Sequence, residues 1–98
     1  MEAYNRGDLL FDDYDWTESQ TLPKLQGNPD RNLYKRFEGN QVLYIINYTC
    51  NIMNCNTKSE ASRMELLLHE KLPFDIKSQS SVFAWLMKTF TVSGEELD

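Results

Sequence analysis

Between Gln41 and Met53 the chain runs without glycine or proline, and Val42, Ile45, Ile46, Thr49, Ile52 and Met53 recur at helical spacing. Asn40, Asn47 and Asn51 then share a polar side. The residue types pull the other way, since Val42, Tyr44, Ile45, Ile46, Tyr48 and Thr49 all favour strands. A run of this length exceeds an ordinary strand, which tips the reading toward helix. A second helix is marked more sharply. Thr57-Lys58-Ser59-Glu60 has the capping-box pattern, and Ala61, Met64, Leu67, Leu68 and Leu72 form one apolar face. Arg63, Glu70 and Lys71 are turned outward, and Pro73 ends the element. Beyond the Phe74-Asp75-Ile76 connector, Ser78 or Ser80 can cap a last helix through Val82, Phe83, Leu86, Met87 and Phe90. Upstream, Asn28-Pro29-Asp30 reads as a helix start, with Leu33, Tyr34 and Phe37 on one face and Gly39 as its break.

This pattern predicts an all-α fold, a small bundle of three to four short helices with an irregular acidic N-terminal arm. The competing architecture is a small α+β domain with a hairpin near 41–54. The expected organisation is an arm over residues 1–28, a helical domain over 29–91 and a disordered acidic tail over 92–98. At 98 residues the chain supports one modest core.

Charge sharpens the reading of the arm. Its first twenty residues hold Glu2, Asp8, Asp12, Asp13, Asp15 and Glu18 against Arg6, a net of −5 that equals the charge of the whole chain. The body is therefore nearly neutral, with a basic cluster at Lys24, Arg31, Lys35 and Arg36 close behind the arm. Three readings of the arm stand. Leu9, Phe11, Tyr14 and Trp16 pack on the helices while the acids face water. Alternatively Phe11, Asp12, Asp13, Tyr14, Asp15 and Trp16 form a recognition segment for a protein with a basic surface. In the third reading the spaced carboxylates imitate a nucleic-acid backbone. The basic cluster is a candidate for phosphate contacts or for an intramolecular clasp on the arm's acids.

Candidate chemistry is sparse. Cys50 and Cys55, with the single histidine His69, cannot complete a four-ligand zinc site, so no metal or cofactor is expected. With no secretory signal or membrane-length apolar run, the expected location is the cytoplasm, with both thiols reduced. Asn47-Tyr48-Thr49 matches a glycosylation acceptor, without an export signal to give it meaning. His69 stands four residues after Glu65, and the expectation is a surface Glu–His contact rather than an acid–base dyad. The helix–connector–helix from Ser59 to Phe90 invites comparison with a DNA-reading unit. Its second helix starts with serines and carries Lys88 as its one basic residue, which does not suit base readout. Six successive apolar residues from Val82 to Met87 imply burial on several sides, as a central helix or through a homodimer seam at Phe83, Trp85 and Met87. The function expected from all this is non-enzymatic. It is a protein-interaction module, in the form of a stoichiometric inhibitor or accessory factor, with a nucleic-acid-associated regulator using Lys24 to Arg36 as the alternative.

Overall fold

The apolar periodicity of 41–53 resolves as helix. The computed structural model describes residues 4–16, 31, 33–55 and 57–96, and in it three helices pack on one another: α1 (Gly39–Met53), α2 (Lys58–Glu70) and α3 (Gln79–Glu96). Each start follows from a local device. The Glu38 carboxylate accepts the Asn40 N–H ahead of α1. Thr57 Oγ1 accepts the Glu60 N–H at 3.2 Å ahead of α2, and Ser78 Oγ accepts the Ser81 N–H at 3.2 Å ahead of α3. Helix α1 stops at Asn54, whose left-handed conformation (φ 57°) suits asparagine and returns its N–H to the Cys50 carbonyl.

The core is the meeting of three aliphatic stripes. Val42, Ile45, Ile46 and Cys50 of α1 face Ala61, Met64 and Leu68 of α2, and Val82, Leu86 and Phe90 of α3 close the third side, with Leu72 and Cys55 at the margins. The buried Thr49 hydroxyl bonds within its own helix, donating to the Ile45 carbonyl at 2.7 Å. Helix α3 is one side of a triangle rather than an enclosed central rod, since Ser81, Ala84 and Lys88 on it are exposed.

Three expectations are corrected. Residues 33–38 are not helical. Leu33 makes an antiparallel bridge to Ser78, the Tyr34 N–H donates to the Lys77 carbonyl at 2.6 Å, and Glu38 makes a parallel bridge to Asp15. Backbone groups that a helix would have used internally are satisfied by neighbouring segments, so tertiary pairing overrides the local cap pattern. The Asn28-Pro29-Asp30 cap itself lies outside the described residues. Gly39 opens α1 instead of breaking the chain. The segment expected to fray from Val92 is helical as far as Glu96, because no proline or capping glycine motif ends α3 earlier.

The N-terminal segment is part of this body. Residues 4–16 run across α1 and α2 as a strap, extended except for a single 3-10 turn at Arg6–Asp8 closed by Asn5. Tyr4 and Tyr14 are core residues, and Leu9, Phe11 and Trp16 pack against the core edge.

Candidate functional site

Strap and helices meet at one carboxylate. Glu65 projects from α2 with its side chain fully buried. It accepts the Tyr4 hydroxyl at 2.8 Å, the Tyr14 hydroxyl at 2.9 Å, the Leu10 N–H at 2.8 and 3.0 Å, and the Phe11 N–H at 3.2 Å. Every partner is a donor, so the acceptor-only ionised carboxylate matches the geometry. Ser62 Oγ, one turn earlier, lies 3.1 Å from the Tyr4 hydroxyl. A second clamp holds the main chain of the strap. Asn47 Oδ1 accepts the Tyr4 N–H and Asn47 Nδ2 donates to the Tyr4 carbonyl, both at 2.8 Å. One amide side chain thus pairs with an extended residue as a neighbouring strand would. At the far end the Asp15 N–H donates to the Phe37 carbonyl and the Gly39 N–H to the Asp15 carbonyl, both at 2.7 Å.

Burial tunes the phenols. It pushes the Tyr4 hydroxyl up to about 12, assisted by the adjacent Glu65. Tyr14 is raised as well, again by burial first and by Glu65 second. The acids of the strap sit in the opposite environment. The Lys58 ammonium, 3.0 Å from Asp8, holds that carboxyl below its ordinary range, with help from the Asn5 N–H. Asp13 meets His69 Nε2 at 2.9 Å, and the imidazole stacks flat on Phe11 with ring centroids 3.6 Å apart. Tyr14 and Phe37 lie edge-on to the same ring. The Glu65–His69 contact expected from sequence is therefore replaced. Glu65 turns inward to the tyrosines, and His69 takes Asp13.

The arm's side chains divide by face. Tyr14 is buried, Phe11 and Trp16 are half-buried, and Asp12, Asp13 and Asp15 are exposed. Trp16 lies against the backbone of Gly39, where a Cβ would fall inside the indole, and the Arg6 guanidinium covers the indole at 4.2 Å. Tyr14 is thus unavailable to a partner's pocket, whereas the three aspartates line the outer side of the strap. Near them Leu10 and Phe37 keep 56% and 42% of their surface in solvent.

Two of the strap's aspartates meet α2: Asp8 pairs with Lys58 and Asp13 with His69. Arg36 caps the end of α2, donating to the Leu72 carbonyl at 2.6 Å and the Leu68 carbonyl at 3.4 Å, with its guanidinium over Phe74 at 4.5 Å. Arg31 and Lys35 are exposed, and Lys24 lies outside the described residues. Phe74 itself is 81% exposed. Phe83, Trp85 and Met87 are half-buried on α3, Phe83 packing edge-on to Tyr48.

Burial also raises both thiols, Cys55 to about 12, and Cys50 Sγ rests 3.6 Å from Met64 Sδ. No group of three or more candidate metal-ligating side chains occurs among the described residues. No helix is long and apolar enough to cross a membrane, again among the described residues. Compared with protein-family models, curated proteins and solved structures, the chain finds no match.

Two residues central to this site escape the sequence reading. Glu65 carries a signal: it stands four residues after Ala61 and three before Leu68, inside the apolar face of α2, where a carboxylate requires buried donors. Asn47 carries none, because an asparagine on a polar helix face looks the same whether it meets water or a main chain.

Proposed function

We propose that this protein is a non-enzymatic protein-interaction module, an inhibitor or accessory factor that docks on a basic protein surface through the outer side of its strap. One observation carries the reading: the strap's tyrosines are spent inward on Glu65, which leaves Asp12, Asp13 and Asp15 outward on a segment held at both ends. Carboxylates fixed in this way need little further ordering on association, so their attraction to a basic partner is not offset by lost chain entropy. Leu10, Phe37 and Phe74 supply exposed apolar anchors, and such residues dominate binding energy where charges mainly steer. Two buried thiols suit work in a reducing compartment such as the cytoplasm. Arg36 is engaged with the Leu68 and Leu72 carbonyls at the end of α2, which takes one cation of the basic cluster away from a nucleic-acid backbone.

The test compares the wild-type chain with Asp12→Lys/Asp15→Lys and with Phe74→Ser, all exposed positions. A partner captured from native extract is purified, and its affinity for each form is measured across a salt series. Support is a wild-type affinity that falls with salt, drops at least tenfold in the charge variant, and weakens in Phe74→Ser. A partner bound equally by all three forms, or a nucleic acid captured instead, overturns the reading.

A further inference from the structure

The seam between strap and body differs in kind from the seams between helices. Helices meet through Ile45, Ile46, Met64, Leu68, Val82 and Leu86. Much of the strap is held by polar and ionisable side chains, Asn47, Lys58, Glu65 and His69. The strap also buries Tyr4 and Tyr14 and packs Leu9, Phe11 and Trp16 on the core, so its seam combines apolar contact with polar groups that accept water when a ligand leaves, a mix found at dissociable interfaces. Several of the contacts also read main chain, at Tyr4, Leu10, Phe11 and Asp15, the way a sheet edge or an amide clamp reads a bound peptide. The two tyrosine hydroxyls on Glu65 add side-chain selection.

We propose that the α1–α2 groove is a peptide-recognition site that also accepts the strap in trans, from a second copy of this chain. The occupant follows from fit and reach. Residues 4–16 satisfy Asn47 and Glu65 point by point, and the same segment of another copy satisfies them identically. Fourteen residues, 17–30, connect strap and body, a contour of up to about 50 Å. The molecule's longest dimension is 38 Å. The contour is therefore long enough for a strap to reach a neighbour's groove, where it would restore the Asp15–Gly39 bond and the tyrosine packing that it gives up in its own. Because exchange restores every contact, the balance between closed monomer and exchanged dimer is set by concentration against the local concentration of the tethered strap, on the order of millimolar. A chain whose own groove cannot hold its strap offers that strap to others far below this threshold. The outward acids keep their orientation in either arrangement, so this exchange stands or falls apart from the docking function above.

Two complementary variants test it. Tyr4→Ala/Tyr14→Ala spoils the strap and leaves the groove intact. Glu65→Leu spoils the groove and leaves the strap intact, at a helix position where leucine is favourable. Each alone should sediment as a helical monomer, and an equimolar mixture should form a 1:1 heterodimer at micromolar concentration. Adding Tyr4→Ala/Tyr14→Ala to the Glu65→Leu chain should abolish that heterodimer. Two helical variants that stay monomeric when mixed overturn the proposal, as does a complex that survives the added substitutions. If either variant loses its helical signal, the wild-type chain decides. Isotopically light and heavy forms mixed at about a millimolar should yield mixed-mass dimers by native mass spectrometry, and unmixed monomers there overturn the proposal.

Discussion

At the scale of single residues, Glu65 and Tyr34 make opposite cases of buried polarity. Glu65 gathers four donor groups, and replacing it by glutamine puts an amide NH2 where hydroxyls and backbone N–H groups already point. A buried donor left without an acceptor costs about 1–3 kcal/mol. Glu65→Gln should therefore lower unfolding free energy by about 2 kcal/mol and speed amide exchange at Leu10 and Phe11. An unchanged denaturation midpoint would show that the carboxylate does not hold the strap. The Tyr34 hydroxyl is buried with no hydrogen-bond partner among the described residues, and burial raises its pKa. Tyr34→Phe removes that unmet group while keeping the ring in place. It should leave stability unchanged or raise it by up to about 1 kcal/mol, whereas Tyr14→Phe, which breaks a bond to Glu65, should lower it. Equilibrium urea unfolding of the two variants side by side separates them.

Among the elements, the contact of α1 with the strap rests on the absence of a side chain. Gly39 opens α1 with Trp16 against its backbone, and a Cβ there overlaps the indole. Gly39→Ala gains up to about 1 kcal/mol of helix propensity, but overpacking costs typically about 1–3 kcal/mol, so the overlap wins. The expected result is an intact helical spectrum with Trp16 emission shifted toward that of a solvated indole, read in a Trp85→Phe background. Unshifted emission would mean that the strap tolerates a wider seat. Gly39 also shows where local sequence signals end. The three helices were legible because apolar spacing and caps such as Thr57 and Ser78 are properties of neighbouring residues. The segment 33–38 was not, because its bridge partners and long-range hydrogen bonds are at Asp15, Lys77 and Ser78, far along the chain. The candidate site was half legible. Its exposed aspartates and its division into apolar and acidic side chains showed in the arm, but the groove that receives it is built by Asn47 and Glu65 from two different helices. Only the fold brings these together.

For the whole molecule, the strap and the bundle are two layers of unequal strength, and alkaline pH should take them apart in order. Each buried Ile, Leu or Val on the helix seams contributes roughly 1.5–3 kcal/mol, while a net strap hydrogen bond contributes about 1 kcal/mol. The helical seams are mainly aliphatic, with the two thiols, Tyr34 and Tyr48 among their ionisable groups, whereas the strap is bolted by two phenols to one carboxylate. Tyr4 titrates near 10 in an unfolded chain and about 12 in the fold. A folded pKa above the unfolded one means that the stabilisation is complete below pH 10 and is lost as pH rises toward 12. Tyr14, raised for the same reasons, acts in the same direction. Loss of either proton sets a phenolate at hydrogen-bond distance from the Glu65 carboxylate, in a chain whose net charge is already −5. Strap release should therefore precede helix loss on raising the pH above 10. The measurement follows Trp16 emission in the Trp85→Phe background together with helical circular dichroism, and the Trp16 transition should come at the lower pH. Coincident transitions would show instead that the strap is an inseparable part of the core. Glu65→Leu supplies the control: with the strap already unseated at neutral pH, the early transition should be missing and the helical one should remain.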